Sequence, residues 1–184
     1  ENASFYSLST DKCKRPHDEV AELIKLMKQY LKRTIKEVSS QNIKLNFIGD
    51  LSVFDDEIKE LINETKELAK QKTGMVLNIA VNYGGRDEIV NAVRKIAKDV
   101  KESNISLDDI NQDTISHNLY TSTQPDVDLV IRTSGEYRTS NFLLWQSAYA
   151  EYIFTKTLWP DFNIDCLNNA LKEYAMRNRR YGGV

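Results

Sequence analysis

Two arginines beside a run of hydroxyl side chains are the strongest candidates for chemistry. Arg132 follows a short apolar run, Asp128–Ile131, and Arg138 lies just beyond it in the stretch RTSGEYRTSN. A guanidinium group can donate two parallel hydrogen bonds to the oxygens of one phosphate. Ser140 could cap a helix predicted over Phe142–Tyr149, and the free N–H groups at the start of that helix would attract an anion. The stretch predicts a phosphate or diphosphate site. A surface loop whose arginines pair with nearby acids is the alternative.

A carboxylate inside an apolar run is the second candidate. Glu151 lies in the stretch AYAEYIF. A carboxylate is costly to bury unless it is paired or bound to a metal. Mg²⁺ often takes one or two carboxylates together with substrate phosphates. Glu151 is therefore a candidate Mg²⁺ ligand, and an ion pair or a subunit contact is equally consistent with its surroundings.

Two further polar segments follow predicted strands. In Ser9–Arg15, Lys12 and Arg15 could face the same crevice as Arg132, but on spacing alone a solvated loop is favoured. Asn82–Arg86 contains two adjacent glycines, and a turn before a helix accounts for them without any function.

These candidates need elements to position them, and the hydrophobic periodicity predicts strands and helices in alternation. Strands are predicted at Ala3–Leu8, Ile43–Ile48, Met75–Val81, Asp128–Ile131 and Tyr152–Phe154. Helices are predicted along Val20–Val38, Ile58–Ala69, Ile89–Val100 and Leu167–Arg177, with one short helix within Ser106–Tyr120. Alternation indicates an α/β fold, a mostly parallel sheet flanked by helices. Ligands bind at the carboxyl ends of such strands, where the candidates lie.

Composition bounds the classes of protein that remain. The 184 residues include 25 Lys and Arg and 27 Asp and Glu, a formal charge of −2, which excludes a globally basic nucleic-acid binder. The length predicts a single domain over residues 1–184. No apolar stretch approaches the roughly 20 residues that span a bilayer, and the first residues lack the pattern of a signal peptide. Cys13 and Cys166 are predicted to be free thiols in the reducing cytoplasm.

Three segments resemble the cis-prenyltransferases, the family of isoprenyl transferases and undecaprenyl diphosphate synthases. They are Leu77–Val93 (LNIAVNYGGRDEIVNAV), Asp128–Phe162 and Arg177–Gly183, and the resemblance runs from about Ala3 to Gly183. It implies a homodimeric α/β enzyme that condenses isopentenyl diphosphate onto an allylic diphosphate such as farnesyl diphosphate. The resemblance further implies that the product is a polyprenyl diphosphate with Z double bonds and that the cofactor is Mg²⁺. The lipid product would bring the enzyme into peripheral contact with a membrane.

The resemblance also implies roles for individual residues. Arg132, Arg138, Thr139 and Ser140 match the site for isopentenyl diphosphate, and Glu151 matches a Mg²⁺ ligand. The substrate-contacting loop matches Ser9, Thr10, Asp11, Cys13 and Arg15, with Lys12 at the position of the family's proton-transferring asparagine. Arg180, Tyr181 and Gly182 resemble a terminal element that reaches the diphosphate site across the dimer.

Two departures from the family shape the expectation for this chain. The family's Asp-Gly-Asn-Gly-Arg segment, which contains a Mg²⁺-binding aspartate, is absent from this sequence. The chain is therefore predicted to be the larger C-terminal portion of a cis-prenyltransferase that lacks one strand and one helix. On its own, this portion is expected to be inactive or impaired. Lys12 replaces the asparagine and is a poor base when charged, and Cys13 replaces a tryptophan. These departures favour the alternative of a non-catalytic partner subunit or diphosphate-binding module. The paired arginines and Glu151 oppose it.

Overall fold

Strands and helices alternate along the chain in the computed structural model, which describes residues 1–10 and 17–178. The strands are β1 (Asn2–Tyr6), β2 (Lys44–Ile48), β3 (Val76–Ala80), β4 (Leu129–Arg132) and β5 (Glu151–Phe154). The helices are α1 (His17–Ser39), α2 (Asp56–Ala69), α3 (Gly85–Lys101), α4 (Gln112–Asn118) and α5 (Ile164–Ala175). The chain divides into two compact units, Glu1–Ser122 and Thr123–Val184. A single domain over the whole chain stays a prediction, and each unit is described by itself.

The first unit contains a parallel sheet of three strands in the order β1-β3-β2. Tyr6, Ala80 and Ile48 are aligned at the carboxyl ends of the three strands. The segments that leave these ends therefore begin at one edge of the sheet, which is where the sequence predicts ligand-binding residues.

One face of this sheet packs against α1 and α2. Alternate residues of a strand point to opposite faces, so Leu45 and Phe47 of β2 share a face. They join a buried core with Met27 and Leu31 of α1, Ile58 and Ile62 of α2, and Phe54 and Val81 from the segments before α2 and after β3. The apolar stripes predicted on α1 and α2 therefore serve to bury the sheet, as is usual for amphipathic helices.

The alternate positions of the same strands carry a ladder of polar side chains. Asn46 Nδ2 donates to Asn78 Oδ1 at 2.8 Å, and Asn78 Nδ2 donates to Ser4 Oγ at 3.0 Å. The three residues are aligned across the strands, and Asn78 is fully buried. Because each amide finds a partner on the next strand, the ladder avoids the cost of burying unpaired polar groups.

Charged side chains link α1 to the first turn of α2. Lys28 Nζ lies 2.6 Å from Asp55 Oδ2 and 3.1 Å from Glu57 Oε2, and Lys32 Nζ lies 2.6 Å from Glu57 Oε1. Asp55 also caps α2 by accepting from Ile58 N. The hydrogen bond from Lys28 lowers the pKa of Asp55, and those from Lys32 and Lys28 lower the pKa of Glu57.

These lowered pKa values predict how stability depends on pH. A carboxyl whose pKa is lower in the folded state stabilises the fold above its unfolded pKa, about 4, and loses that effect as the pH falls through its folded pKa. We expect Lys28→Met to lower the melting temperature near pH 7. In strong acid, where the carboxyl groups are protonated, its melting temperature should equal that of the unsubstituted chain. Melting temperatures from pH 2 to 8 test this. As a control, Lys25→Met removes a lysine whose ion-pair partner, Glu22, is 3.8 Å away. Its melting temperature near pH 7 should differ less from that of the unsubstituted chain.

The second unit contains a two-stranded parallel sheet of β4 and β5, with α5 in contact with β5. The predicted strand Tyr152–Phe154 is confirmed as part of β5. The helix predicted over Phe142–Tyr149 is wrong, because this segment forms a series of turns. Ser140 therefore caps no helix there: its φ is +51°, and Leu143 has a φ of +44°, which a right-handed helix excludes.

Within the described residues, no helix is both long enough and apolar enough to cross a membrane.

Candidate diphosphate site

The loop after β4 is anchored to the segment that follows β5. Thr155 N donates to Arg132 O at 2.9 Å, Gly135 N to Thr155 O at 2.8 Å, and Ser134 N to Thr157 O at 2.8 Å. These backbone hydrogen bonds extend the alignment of the two strands beyond their ends. They hold the start of the loop at the carboxyl edge of the sheet, the position at which α/β proteins bind ligands.

This loop also carries an unusual concentration of left-handed backbone conformations. Positive φ angles occur at Ser134 (69°), Gly135 (67°), Ser140 (51°), Asn141 (62°) and Leu143 (44°). Each such residue other than glycine costs about 1–3 kcal/mol, and such strain persists only where the surrounding structure imposes it. Clusters of this kind occur at ligand-binding segments, which agrees with the interpretation of the loop as an anion site.

Arg132 presents a buried donor at the end of β4. Its Nε is buried and has no hydrogen-bond partner among residues 1–10 and 17–178. An unsatisfied buried donor costs about 1–3 kcal/mol, and more when it is charged. An anion with several acceptor oxygens would supply the missing partner, so the geometry at Arg132 favours the anion-site interpretation over the surface-loop alternative.

Arg138 lies in a different environment from Arg132. Its side chain is 63% exposed and pairs with Glu136, two residues away. An exposed pair of this kind is worth about 0–1 kcal/mol and exchanges readily for another anion. Thr139 is exposed and Ser140 half-buried, both on the same loop. For Arg138, the alternative of pairing with a nearby acid holds in this structure.

Glu151 begins β5 and forms an ion pair that the sequence did not reveal. Arg177 Nη1 donates to Glu151 Oε2 at 2.7 Å and to Tyr152 O at 3.0 Å, and Arg177 Nη2 donates to Glu173 Oε1 at 2.5 Å. The hydrogen bond to Glu151 raises the pKa of Arg177. The ion pair, one of the alternatives for Glu151, is present in the structure. The spacing of Glu173 and Arg177 was the only linear signal of this cluster.

Glu151 fits a Mg²⁺ site of the kind in which the protein supplies no more than one or two carboxylates. The described part of the chain contains no group of three or more side chains that could hold a metal ion. Mg²⁺ keeps several waters and often binds proteins through one or two carboxylates plus substrate phosphates. The carboxylate of Glu151 suits that pattern, provided that a cation competes with Arg177 for it.

In the first unit, Ser9 and Thr10 leave β1 and are fastened to the loop after β3. Ser9 pairs with Tyr83 in an isolated parallel bridge, and Thr10 N donates to Tyr83 O at 3.0 Å. Thr10 Oγ1 donates to Asp87 Oδ2 at 2.8 Å. These two members of the predicted substrate loop therefore lie at the carboxyl edge of the three-stranded sheet.

The segment Asn82–Arg86 connects β3 to α3, as the turn interpretation predicts. The unusual backbone angle lies at Asn82, with a φ of +48°, whereas Gly84 is extended and occupies the N-cap of α3. Asn82 Nδ2 donates to Asp50 O at 2.9 Å, and Asp50 N donates to Asn82 O at 3.2 Å. The segment thus also joins the ends of β2 and β3.

Several predicted site residues lie outside the described part of the chain. They are Asp11, Lys12, Cys13 and Arg15 of the predicted substrate loop, and Arg180, Tyr181 and Gly182 near the C-terminus. Their predicted roles stay predictions. Cys166 is described, on α5, and is a free thiol.

Comparison with known proteins identifies the family. Residues 1–182 match the family model described as putative undecaprenyl diphosphate synthase. The chain is 47% identical over 181 residues to the isoprenyl transferase of Clostridium perfringens, covering 98% of this chain and 72% of that protein. It is 45% identical over 184 residues to the ditrans,polycis-undecaprenyl-diphosphate synthase of Haemophilus influenzae, covering 100% and 77%.

Solved structures confirm the α/β fold with a parallel sheet. Lavandulyl diphosphate synthase from Lavandula x intermedia, crystallised with dimethylallyl diphosphate, matches with a TM-score of 0.93 and 37% identity over 98% of this chain and 78% of that one. A probable undecaprenyl diphosphate synthase from Campylobacter jejuni matches with a TM-score of 0.87 and 35% identity, over 99% and 84%. The chain therefore belongs to the undecaprenyl diphosphate synthase family of isoprenyl transferases.

Proposed function

We propose that this chain binds isopentenyl diphosphate and transfers an allylic prenyl group to it, as an isoprenyl transferase that forms Z double bonds. The buried Nε of Arg132, without a partner among the described residues, carries the proposal. It lies at the carboxyl end of β4, at the start of a strained loop rich in hydroxyl groups. The names of the relatives at 45–47% identity support the same reaction class.

The reaction places specific demands on the chain. The allylic C–O bond breaks and its electron pair leaves with the diphosphate, while the double bond of isopentenyl diphosphate attacks the allylic carbon. A C–C bond forms, and a proton leaves the neighbouring carbon of the isopentenyl unit. Arg132 would hold the isopentenyl diphosphate, with Arg138 turning to it from Glu136, so that the nucleophile is oriented before the bond breaks.

The proposed cofactor is Mg²⁺, and Glu151 is the described residue that would hold it. When bound, Mg²⁺ would supply positive charge next to diphosphate oxygens as negative charge builds on the leaving group. In the first unit, Ser9 and Thr10 would contact substrate through the loop after β1. Lys12, Asp11, Cys13 and Arg15 complete the proposed loop, with Lys12 at the position of the proton acceptor.

Arg177 provides a test of the cation site that does not depend on activity. Because Arg177 competes for the carboxylate of Glu151, we expect Arg177→Gln to tighten Mn²⁺ binding about fivefold, the equivalent of a partly exposed pair worth about 1 kcal/mol. Titration of Mn²⁺ followed by electron paramagnetic resonance measures this. Lys98→Gln removes the same charge from an exposed pair with Glu102 and should change nothing. Weaker or equal binding in Arg177→Gln would remove Glu151 from the cation site.

We include a second copy of the chain among the proposed partners, in a homodimer. Large apolar side chains are exposed in the second unit: Tyr149, Leu158, Trp159, Ile164 and Met176. Exposed apolar patches mark interaction surfaces. A cytoplasmic location completes the proposal, supported by the free thiol of Cys166, with peripheral membrane contact through the lipid product and no role for nucleic acid.

A second function follows from the ion pair at Glu151 and from Lys12. In this alternative, the chain is a diphosphate-binding module or non-catalytic partner subunit of the same fold. Its carboxylate stays paired with Arg177, and a lysine, ordinarily a poor base near pH 7, replaces the asparagine to which the family assigns proton transfer. The two functions share the Arg132 anion site and differ in the transfer step.

One assay separates the two functions. The chain is incubated with farnesyl diphosphate, labelled isopentenyl diphosphate and Mg²⁺, and labelled lipid is extracted. Long-chain labelled product supports the transferase. Absence of product, together with binding of isopentenyl diphosphate that Arg132→Ala abolishes, supports the module. Absence of both product and binding overturns both proposals.

A further inference from the structure

Tyr83 is fully buried, and its hydroxyl is hydrogen-bonded to a carboxylate, Glu88, that is also buried. Tyr83 Oη donates to Glu88 Oε2 at 2.5 Å, and Glu88 is only 2% exposed. The other oxygen of the same carboxylate, Oε1, accepts from Tyr120 N at 2.8 Å. An apolar pair would fill this space without burying a carboxylate, so the arrangement needs a reason beyond packing.

The backbone of Tyr83 holds both sides of the segment Ser9–Thr10. Tyr83 N donates to Leu8 O at 3.0 Å, and Thr10 N donates to Tyr83 O at 3.0 Å. Tyr6 Oη also donates to Tyr83 O at 3.0 Å. Because one residue supplies a donor before Ser9 and an acceptor after it, a shift of Tyr83 would carry Ser9 and Thr10 with it.

The side chain of Tyr83 is confined on two further sides. Its ring meets those of Tyr6 and Tyr120 edge to face, with centroids 6.0 and 6.4 Å away. The first turns of α3 thus reach the segment by two routes, directly from Asp87 to Thr10 and through Glu88 and Tyr83. The hydrogen bond from the Tyr83 hydroxyl to Glu88 holds the tip of the same ring.

We propose that Tyr83, anchored by Glu88, is a positioning residue that sets the Ser9–Thr10 segment for prenyl transfer. The inference rests on the proposed function, in which this segment contacts a diphosphate substrate. Small errors in the placement of a substrate-contacting group can cost large factors in rate. The buried hydroxyl–carboxylate pair is then explained by the precision required at the opposite end of Tyr83.

The chain offers a matched pair of variants to test this. Tyr83→Phe removes the hydroxyl that reaches Glu88 and keeps the ring, whereas Tyr120→Phe removes a hydroxyl of the same aromatic cluster that accepts from Asn91 instead. Hydrogen exchange is measured at two amides, those of Thr10 and Val81. We expect the Thr10 amide to exchange at least tenfold faster in Tyr83→Phe and less than threefold faster in Tyr120→Phe. The Val81 amide, bonded to Ile48 O, reports whether the sheet is intact.

Steady-state kinetics supply the second readout. We expect kcat to fall at least fivefold in Tyr83→Phe, with the KM of the diphosphate substrates within twofold of the unsubstituted chain, because a shifted Ser9–Thr10 segment misplaces bound substrate. If Tyr83→Phe does not fold, Glu88→Gln takes its place: it replaces the charge-assisted hydrogen bond to Tyr83 Oη by a neutral one, so the same changes are expected in the same direction and at smaller size. Unchanged exchange at Thr10, or equal effects in Tyr120→Phe, would overturn the positioning role. If the unsubstituted chain transfers no prenyl group, the proposed transfer fails, and exchange at Thr10 alone decides whether Tyr83 positions the segment.

Discussion

Replacement of Arg132 by alanine is expected to lower kcat/KM for isopentenyl diphosphate by 100-fold or more. A factor of 100 corresponds to about 2.7 kcal/mol of lost stabilisation. Charge-assisted hydrogen bonds are worth about 1.5–3 kcal/mol, and Arg132 offers a guanidinium that is already partly desolvated. Initial rates of label transfer at varied isopentenyl diphosphate give the ratio directly.

Two further variants make this result specific. Arg33→Ala removes the same charge from an exposed pair on α1, 2.7 Å from Glu37, and should leave kcat/KM within twofold. Arg132→Lys keeps the charge but loses the two-pronged geometry, so its activity should fall between the other two. An Arg132→Ala chain with unchanged kinetics would show that the buried guanidinium does not hold substrate.

Much of the fold could be predicted from the sequence because strands and helices carry different apolar periods. All five strands and the long helices lie where alternation or 3.6-residue spacing predicts them, with shifts of a few residues at their ends. The segment FLLWQ misled the prediction because its apolar content suits a helix. The left-handed φ angles at Asn141 and Leu143 are imposed by the surroundings of the loop, so the types of these residues did not allow them to be predicted.

The site was less accessible to sequence reasoning than the fold. Arg132 was found because it directly follows a buried strand. Arg177 was not linked to Glu151, because the two are 26 residues apart and no periodicity connects a strand to the segment after a distant helix. Tyr83 was overlooked because the glycines beside it explained the turn. Its importance comes from a hydroxyl and two backbone groups that only the folded chain brings to partners.

Gly49 is a position where a single methyl group should damage the fold severely, through both a positive φ and a close backbone contact. It follows β2 with a φ of +125°, and a Cβ placed there would lie 2.0 Å from Val81 O, a backbone atom that cannot move away without breaking the alignment of β2 and β3. Real Cβ atoms do not approach so closely. We expect Gly49→Ala to lower the free energy of unfolding by about 3 kcal/mol or more, from strain and overpacking together, measured by urea denaturation.

Gly135→Ala separates the two causes of that loss. Gly135 also has a left-handed φ, +67°, but a Cβ there would meet nothing closer than Lys156 Cγ at 3.9 Å. Backbone strain alone should therefore lower the free energy of unfolding by about 1–2 kcal/mol. If Gly49→Ala costs no more than Gly135→Ala, the close approach of Gly49 to Val81 is absent in solution. The amount by which the loss of unfolding free energy in Gly49→Ala exceeds that in Gly135→Ala measures how firmly the ends of β2 and β3 are held together. The turn that leads to Tyr83 begins at the end of β3, so this amount also reports how firmly that turn is held.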